Sequence, residues 1–210
     1  MNSSNELIIA RKNEIIEACR QLYQTKSFRE ITIKDIGAVT SFTRTSIYNY
    51  FETKEEIFLA LFQREYERWT ADLEAVIDEN ESMDAFAFAD AVAKTVERRT
   101  LLLKLLAMNM YDMEEHSRLE RLVEFKAAYG ASMDTLERGL EKFFPASAPE
   151  SRREFIWHFF PFMFGIYPYT FVTDKQKVAM EKAGTRILHQ TVYELTYSML
   201  TELLKSILQY

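Results

Sequence analysis

The chain has 210 residues, 48% of them hydrophobic, and a net charge of −6. That length allows one medium domain or a small one beside a larger one, and that apolar share supports a packed core rather than a disordered chain. The single cysteine, Cys19, excludes an intrachain disulfide and a thiolate metal cluster and fits a reducing cytoplasm, while no apolar run reaches the roughly 18 residues that a membrane span needs.

With only 5 Gly and 4 Pro, the chain has few punctuation points, so an all-α fold of long helices is expected. The first helix is predicted over about residues 5–24, where Ile8, Ile15, Cys19 and Leu22 share one face. Thr32 reads as the N-cap of a second helix over 33–39, with Asp35 three residues on to favour its positive end. Residues 40–42 form a turn, and Thr43 caps a third helix over 44–50. Ile47 and Phe51 sit four apart and should face a small core with Ile15, Leu22, Phe28 and Ile36. Helix four opens at Thr53 and runs to about residue 77, with Phe58, Phe62, Tyr66, Trp69, Leu73 and Val76 spaced by three or four. Further helices are expected at about 84–97, 100–113, 117–143, 151–171 and 184–208. The clearest loop is 145–151, and a second break over 173–184 has room for a short extra helix. The densest apolar stretch, 155–172, holds Pro161 and Pro168 and reads as a buried, kinked helix rather than a lipid-facing one.

Charge is unevenly placed. Residues 1–55 carry eight Lys or Arg against seven Asp or Glu, so the acidity belongs to the remainder. Local charge governs DNA contact, because a Debye length is about 8 Å at physiological salt. An excess of one cation still leaves much of phosphate binding to hydroxyls, amides and helix N-termini.

The outward side of helix three has the chemistry for reading DNA. Short side chains at Thr43, Thr45 and Ser46 let its axis approach base edges. Arg44 suits a bidentate contact with guanine, Asn49 a contact with adenine, and Thr45 a base or a thymine methyl. Tyr48 and Tyr50 carry hydroxyls on rigid arms suited to phosphates. Lys54 and Thr32 sit where helix N-termini add their positive ends.

The pattern Thr32-Ile-Lys-Asp-Ile, then Arg44-Thr-Ser-Ile-Tyr-Asn-Tyr-Phe51, then Thr53-Lys54-Glu55 resembles the DNA-binding domain of the TetR (tetracycline-repressor-like) family of transcriptional regulators. The resemblance covers about residues 6–62; the remainder matches in layout and length. It implies a helix-turn-helix domain over 1–52 and a helical regulatory and dimerisation domain over 53–210, with helix four connecting the two. It implies Arg44, Thr45 and Asn49 as base readers and Tyr48, Tyr50 and Lys54 as backbone clamps. Ser27 and Ser41 stand where the family usually has glycine, which implies modest strain or an altered turn.

The function expected is a cytoplasmic, ligand-responsive regulator, a repressor binding a palindromic operator in double-stranded DNA as a homodimer. Two apolar stripes near the end of the chain are the candidate dimer faces: Phe155, Phe159 and Phe162 on one helix, and Leu188, Val192, Leu195, Met199 and Leu203 on another. The resemblance also implies an effector cavity in the helical body. Its aromatic and methionine content, with Trp69, Met108, Tyr111, Phe125, Tyr129, Trp157, Phe160 and Phe164 as candidate lining, suits an apolar or aromatic small molecule. Each of these residues, taken singly, is also an ordinary core side chain.

Catalysis is not expected. There is no HExxH, CxxC or P-loop, no cofactor is implied, and the Glu154/His158 pair on one helix more often makes a structural hydrogen bond than a metal site. A helical carrier of a hydrophobic molecule would explain the aromatic body but leave the polar array around Arg44 without a purpose. A DNA-binding regulator controlled by a protein partner is the other alternative.

Overall fold

The computed structural model describes residues 3–108, 110–185 and 189–208; the side chains of Ser3, Ser4 and Arg44 lie outside that description. Among the described residues there are eleven α-helices and no strand. They are α1 Ser3–Thr25, α2 Ile33–Val39, α3 Arg44–Ile47, α4 Lys54–Asp78, α5 Ala85–Arg98, α6 Thr100–Leu106, α7 Met110–Glu115, α8 Leu119–Phe143, α9 Pro149–Thr170, α10 Asp174–Ala183 and α11 Val192–Leu208. No helix among the described residues is long and apolar enough to cross a membrane.

The chain divides into two compact units. Unit 1 comprises Met1–Arg64 and Asn109–Ala128, and unit 2 comprises Glu65–Met108 and Tyr129–Tyr210. The division falls inside α4 and α8. Unit 1 also takes in α7 and the first turns of α8, which no local pattern announces.

Unit 1 is built on the apolar face of α1. Ile15, Cys19, Ile31, Ile36, Ile47, Phe51 and Phe58 are closed off from solvent, and the rings of Tyr23 and Phe28 stand edge-on to Phe58 at 5.1 and 4.8 Å. Full burial of each such aliphatic or aromatic side chain contributes about 1.5–3 kcal/mol. Phe125 of α8 joins this core against Phe62, 5.0 Å between centroids.

In unit 2 the rings of Trp69, Tyr129 and Phe160 make a chain of contacts, with Trp69 and Tyr129 each about one ring-width from Phe160, at 5.7 and 5.5 Å. The Trp69 indole N–H is satisfied inside this core by Thr95 Oγ1 at 3.0 Å. Gly139 allows α8 to pack close, since a Cβ there would meet Ile77 and Phe88 side chains at 3.3 Å. α11 packs on α5 and α9, and α6 packs on α9.

Beyond α4, two of the expected helices have clearly different bounds. The predicted helix over 100–113 is two helices, because Ala107 and Met108 close α6 with bonds to Leu103 and Leu105 carbonyls. α6 is apolar on several sides, with Leu102, Leu103, Leu105 and Leu106 all buried, so its period does not reveal its end. The break at 173–184 holds the short extra helix for which it had room, the ten-residue α10, with a capping box at Thr173 and Gln176 and a left-handed Gly184 at its end. Gly184 thus ends one helix and does not open the next. α11 begins only at Val192, where Thr191 and Glu194 exchange side-chain and backbone hydrogen bonds at 2.8 and 3.1 Å.

Candidate nucleic-acid interface

α2 follows the expected rule. The Thr32 hydroxyl accepts the Asp35 N–H at 3.2 Å, and the Asp35 carboxylate accepts from the Thr32 hydroxyl and N–H at 2.6 and 2.9 Å. Those bonds, the hydroxyl's first and the backbone N–H's second, hold the Asp35 carboxyl below its usual range. The Thr32 side chain is therefore committed to the cap.

α3 is shorter than expected. Only Arg44–Ile47 is helical, and residues 48–50 continue as turns in which Asn49 and Tyr50 bond back three residues, to Ser46 and Ile47. Thr, Ser, Ile, Tyr and Asn all sit in the lower half of the helix-propensity order, so the tighter three-residue bonding competes well here. Thr43 occupies the N-cap with extended backbone, and its hydroxyl lies 3.1 Å from that of Ser46.

The segment is two-faced. Ile47 and Phe51 are buried, and they fix its inner side to the core with Ile15 and Ile36. Thr43, Thr45, Tyr48 and Asn49 are exposed, and Ser46 and Tyr50 are half-exposed. The Tyr50 ring leans on Phe42 at 6.4 Å. The Arg44 side chain lies outside the described residues; its backbone opens α3 directly after the cap.

Neither serine that replaces the expected glycine is strained. Among the described residues only Gly184 has a positive φ. Ser27 has φ −80° and caps a short 3-10 turn over Phe28–Glu30, its N–H and hydroxyl both bonded to Glu30 at 2.7 Å. Ser41 is held from α1: its N–H donates to Glu14 and its hydroxyl accepts from Arg11 at 3.0 Å. The pairing spans about thirty positions and left no periodic signal in the sequence.

Lys54 has partners within unit 1. Its ammonium donates to the Phe28 carbonyl at 2.8 Å and lies 4.0 Å from the centre of the Phe28 ring. So engaged, the half-exposed cation braces the segment that leads into α2.

The candidate effector and dimer residues are scattered. Trp69 and Phe160 are buried together in unit 2 with half-buried Tyr129, and Met108 is half-buried in the same unit. Phe125 is buried in unit 1, and Tyr111 of unit 1 is 84% exposed. Trp157 and Phe164 are exposed on α9, so they do not line an interior with Trp69. Of the expected dimer residues, Phe155, Phe159 and Val192 are closed inside the protomer, because this face of α9 packs against α11 and α6. Phe162, Leu195, Met199 and Leu203 are half-buried, and Leu188 lies outside the described residues. The side of α9 that faces outward instead carries Trp157, Pro161, Phe164 and Pro168, spaced by four, three and four.

Among the described residues no group of His, Cys, Asp or Glu could hold a metal ion. Glu154 and His158 line a small cleft of about 40 Å³ between α9 and α11 with Ser151, Phe155, Leu203, Ser206 and Ile207.

Comparison with known proteins bears on this geometry. Residues 15–61 match the family model described as "Bacterial regulatory proteins, tetR family". Residues 63–207 match the model described as "Tetracyclin repressor-like, C-terminal domain". A curated relative, the uncharacterised HTH-type transcriptional regulator YfiR of Bacillus subtilis (strain 168), is 34% identical over 53 residues, which span 25% of this chain and 26% of that protein. Among solved structures, the fatty acid degradation regulator FadR of Bacillus halodurans superposes with a TM-score of 0.58 at 15% identity, over 92% of this chain and 94% of its own. The regulator FadR of Bacillus subtilis, solved in complex with stearoyl-CoA, gives 0.55 at 17% identity over 92% and 98%. The repressor AlkX of Dietzia sp. strain DQ12-45-1b gives 0.53 at 13% identity over 92% and 95%. At these identities the structural matches speak for the fold.

Proposed function

Because this chain belongs to the tetracycline-repressor family of bacterial transcriptional regulators and is not an enzyme, we propose that it is a ligand-responsive repressor that reads a palindromic operator as a homodimer. The observation that carries the reading is the two-faced segment from Thr43 to Phe51, with Ile47 and Phe51 buried and Thr45, Tyr48 and Asn49 turned outward. Arg44, Thr45 and Asn49 read base edges, with the small side chains of Thr43 and Ser46 permitting close approach. Tyr48 and Tyr50 reach phosphates, which sets register without reading sequence.

A segment this short meets only a few base pairs, so affinity and specificity call for two copies on two half-sites. The stripe of Trp157, Pro161, Phe164 and Pro168 is the dimer face on α9. Buried aromatic anchors of this kind carry much of an interface's binding energy.

The effector is an apolar molecule held in unit 2 near Trp69, Tyr129 and Phe160. That ring cluster has the composition of an apolar ligand site, and a regulator of the same fold has been solved with stearoyl-CoA. Effector and operator oppose each other through α4, which contributes residues to both units. Such coupling is reciprocal, so operator weakens the effector by the same factor.

Selection of bound sequences from random duplex DNA by the purified chain tests this reading. Enrichment of a palindrome is the expected result. Binding at low salt only, without any enriched sequence, overturns it.

A further inference from the structure

We propose that Arg11 and Glu14 of α1 are positioning residues for base reading: together they hold the turn from which α3 starts. The proposal rests on the DNA-reading role given to the Thr43–Phe51 segment above. A Glu14 carboxylate oxygen accepts the Ser41 N–H. Arg11 Nη1 donates to Ser41 Oγ at 3.0 Å, and its guanidinium carbon lies 4.9 Å from the centre of the Phe42 ring. The two side chains also pair with each other at 3.8 Å. One turn of α1 thus grips the N–H and the hydroxyl of Ser41 and the ring that follows it. Phe42 in turn meets Tyr50, so the grip reaches both ends of the reading segment.

The arrangement explains why a serine serves where the family usually has glycine. The turn has no left-handed residue, so it gains nothing from glycine's freedom. What serine adds is a hydroxyl, and Arg11 uses it. The pair is also ill suited to a direct role on DNA. Glu14 is an anion, its carboxyl held below the usual range first by the Ser41 N–H and then by the Ser41 side chain. Arg11 is engaged with Ser41, Phe42 and Glu14. An ion pair as exposed as this one, with side chains 36% and 34% accessible, adds little to stability by itself. Its consequence is geometric. α3 has only four residues and no long helical rod to steady it, so a shift at Ser41 passes straight to Thr43 and Thr45, where base contacts depend on hydrogen-bond geometry.

The test compares affinity for the best selected duplex with affinity for a scrambled duplex of the same length, across a salt series, with thermal unfolding alongside. In Glu14→Ala the specific-to-scrambled ratio is expected to fall about tenfold, comparable to the cost of one mismatched base pair. Scrambled binding, its salt slope and the unfolding temperature should stay close to those of the parent. Glu14→Gln keeps a carbonyl oxygen for the Ser41 N–H and should recover most of the ratio. Arg11→Ala should lower the ratio with an unchanged salt slope, and in a Ser41→Gly background should change it far less. Three results overturn the proposal: an unchanged ratio in Glu14→Ala, a salt slope reduced by about one in Arg11→Ala, which marks a phosphate contact, or loss of both affinities in step with a lowered unfolding temperature. A parent with no sequence preference brings down the DNA-reading role and this proposal together; failure confined to the variants brings down the clamp alone.

Discussion

Glu56, in the first turn of α4, has no exposed surface and is gripped by Arg118, whose Nε and Nη2 donate to its two carboxylate oxygens at 2.6 and 2.8 Å. The Arg118 N–H adds a third bond at 3.1 Å and the Glu52 N–H a fourth at 2.9 Å. Close by, the Thr53 hydroxyl donates to the His116 carbonyl at 3.0 Å. These bonds tie residues 116–118 to the start of α4 and explain why unit 1 includes a segment sixty residues away in sequence.

Burial alone would raise the Glu56 carboxyl, but the bonds from Arg118 and Glu52 prevail and hold it below its usual range. A carboxyl whose folded pKa lies below its unfolded one contributes stability that is complete above about pH 4.3 and is lost as pH falls through the folded value. Arg118→Ala is expected to cost about 1–3 kcal/mol at neutral pH. That is less than the full penalty of orphaning a buried charge, since the Arg118 side chain is 40% exposed and water screens it. Denaturant unfolding should show the gap between parent and variant narrowing as pH falls below about 4.3 and through the lowered folded value, where the carboxylate takes up its proton. A gap of constant size from neutral to acid pH contradicts this account.

What the sequence made legible follows from how local each cause is. Thr32 and Asp35 lie three residues apart, and α2 has the bounds that their capping implied. The three-and-four spacing of Phe58, Phe62, Tyr66, Trp69 and Leu73 announced α4, and all five are buried. The Thr191–Glu194 box was equally local, and reading it would have placed the start of α11. The end of α6 had no such mark, because a run of leucines has no period to break. The Ser41–Glu14 bond and the Arg118–Glu56 pair join distant positions through the fold, so no spacing rule reaches them. Trp157 illustrates a different limit. Aromatic composition pointed to an interior, yet only the packing of α9 on α6 and α11 determines which of its rings face outward.

Lys54 and Arg44 should respond differently to removal. Lys54 braces Phe28, so Lys54→Ala is expected to lower the unfolding temperature and leave the salt dependence of DNA binding unchanged. Arg44→Ala should weaken binding to the selected sequence by about 1–3 kcal/mol and relax base preference, as loss of a base contact does. Titrations of both variants against selected and scrambled duplexes at several salt concentrations separate the two. A slope reduced by about one in Lys54→Ala would return the lysine to the phosphates.

Thr95 has no exposed surface and links the Trp69 indole to the backbone, accepting from Trp69 at 3.0 Å and donating to the Val92 carbonyl at 2.7 Å. Thr95→Val keeps the shape and strands the indole N–H, which should cost about 1–3 kcal/mol. Thr95→Ser keeps the acceptor and should lose less. Trp157 is 67% exposed, so a Trp157→Phe background leaves Trp69 as the sole indole reporter for fluorescence-monitored unfolding. Equal stability of the valine variant and its parent contradicts the assignment of that bond.

The packing of α9 also separates dimer contacts from core contacts by experiment. Phe155 and Phe159 lie in the protomer core, so their replacement by alanine should cost stability, about 3–5 kcal/mol each, whether or not the chain is paired. Trp157 and Phe164 are exposed, so Trp157→Glu and Phe164→Glu should leave the folded protomer intact. They would place a charge in a desolvated interface, which weakens association severely because an unpaired carboxylate cannot be buried there. Sedimentation at micromolar concentration is expected to give a dimer for the parent and a monomer for each Glu variant, with the helical circular dichroism of a folded protomer. The monomeric variants should also lose the operator while retaining weak low-salt binding, because one reading segment still touches DNA but no longer has a twin on the second half-site. A Trp157→Glu, Phe164→Glu double variant that remains dimeric moves the interface off this face of α9.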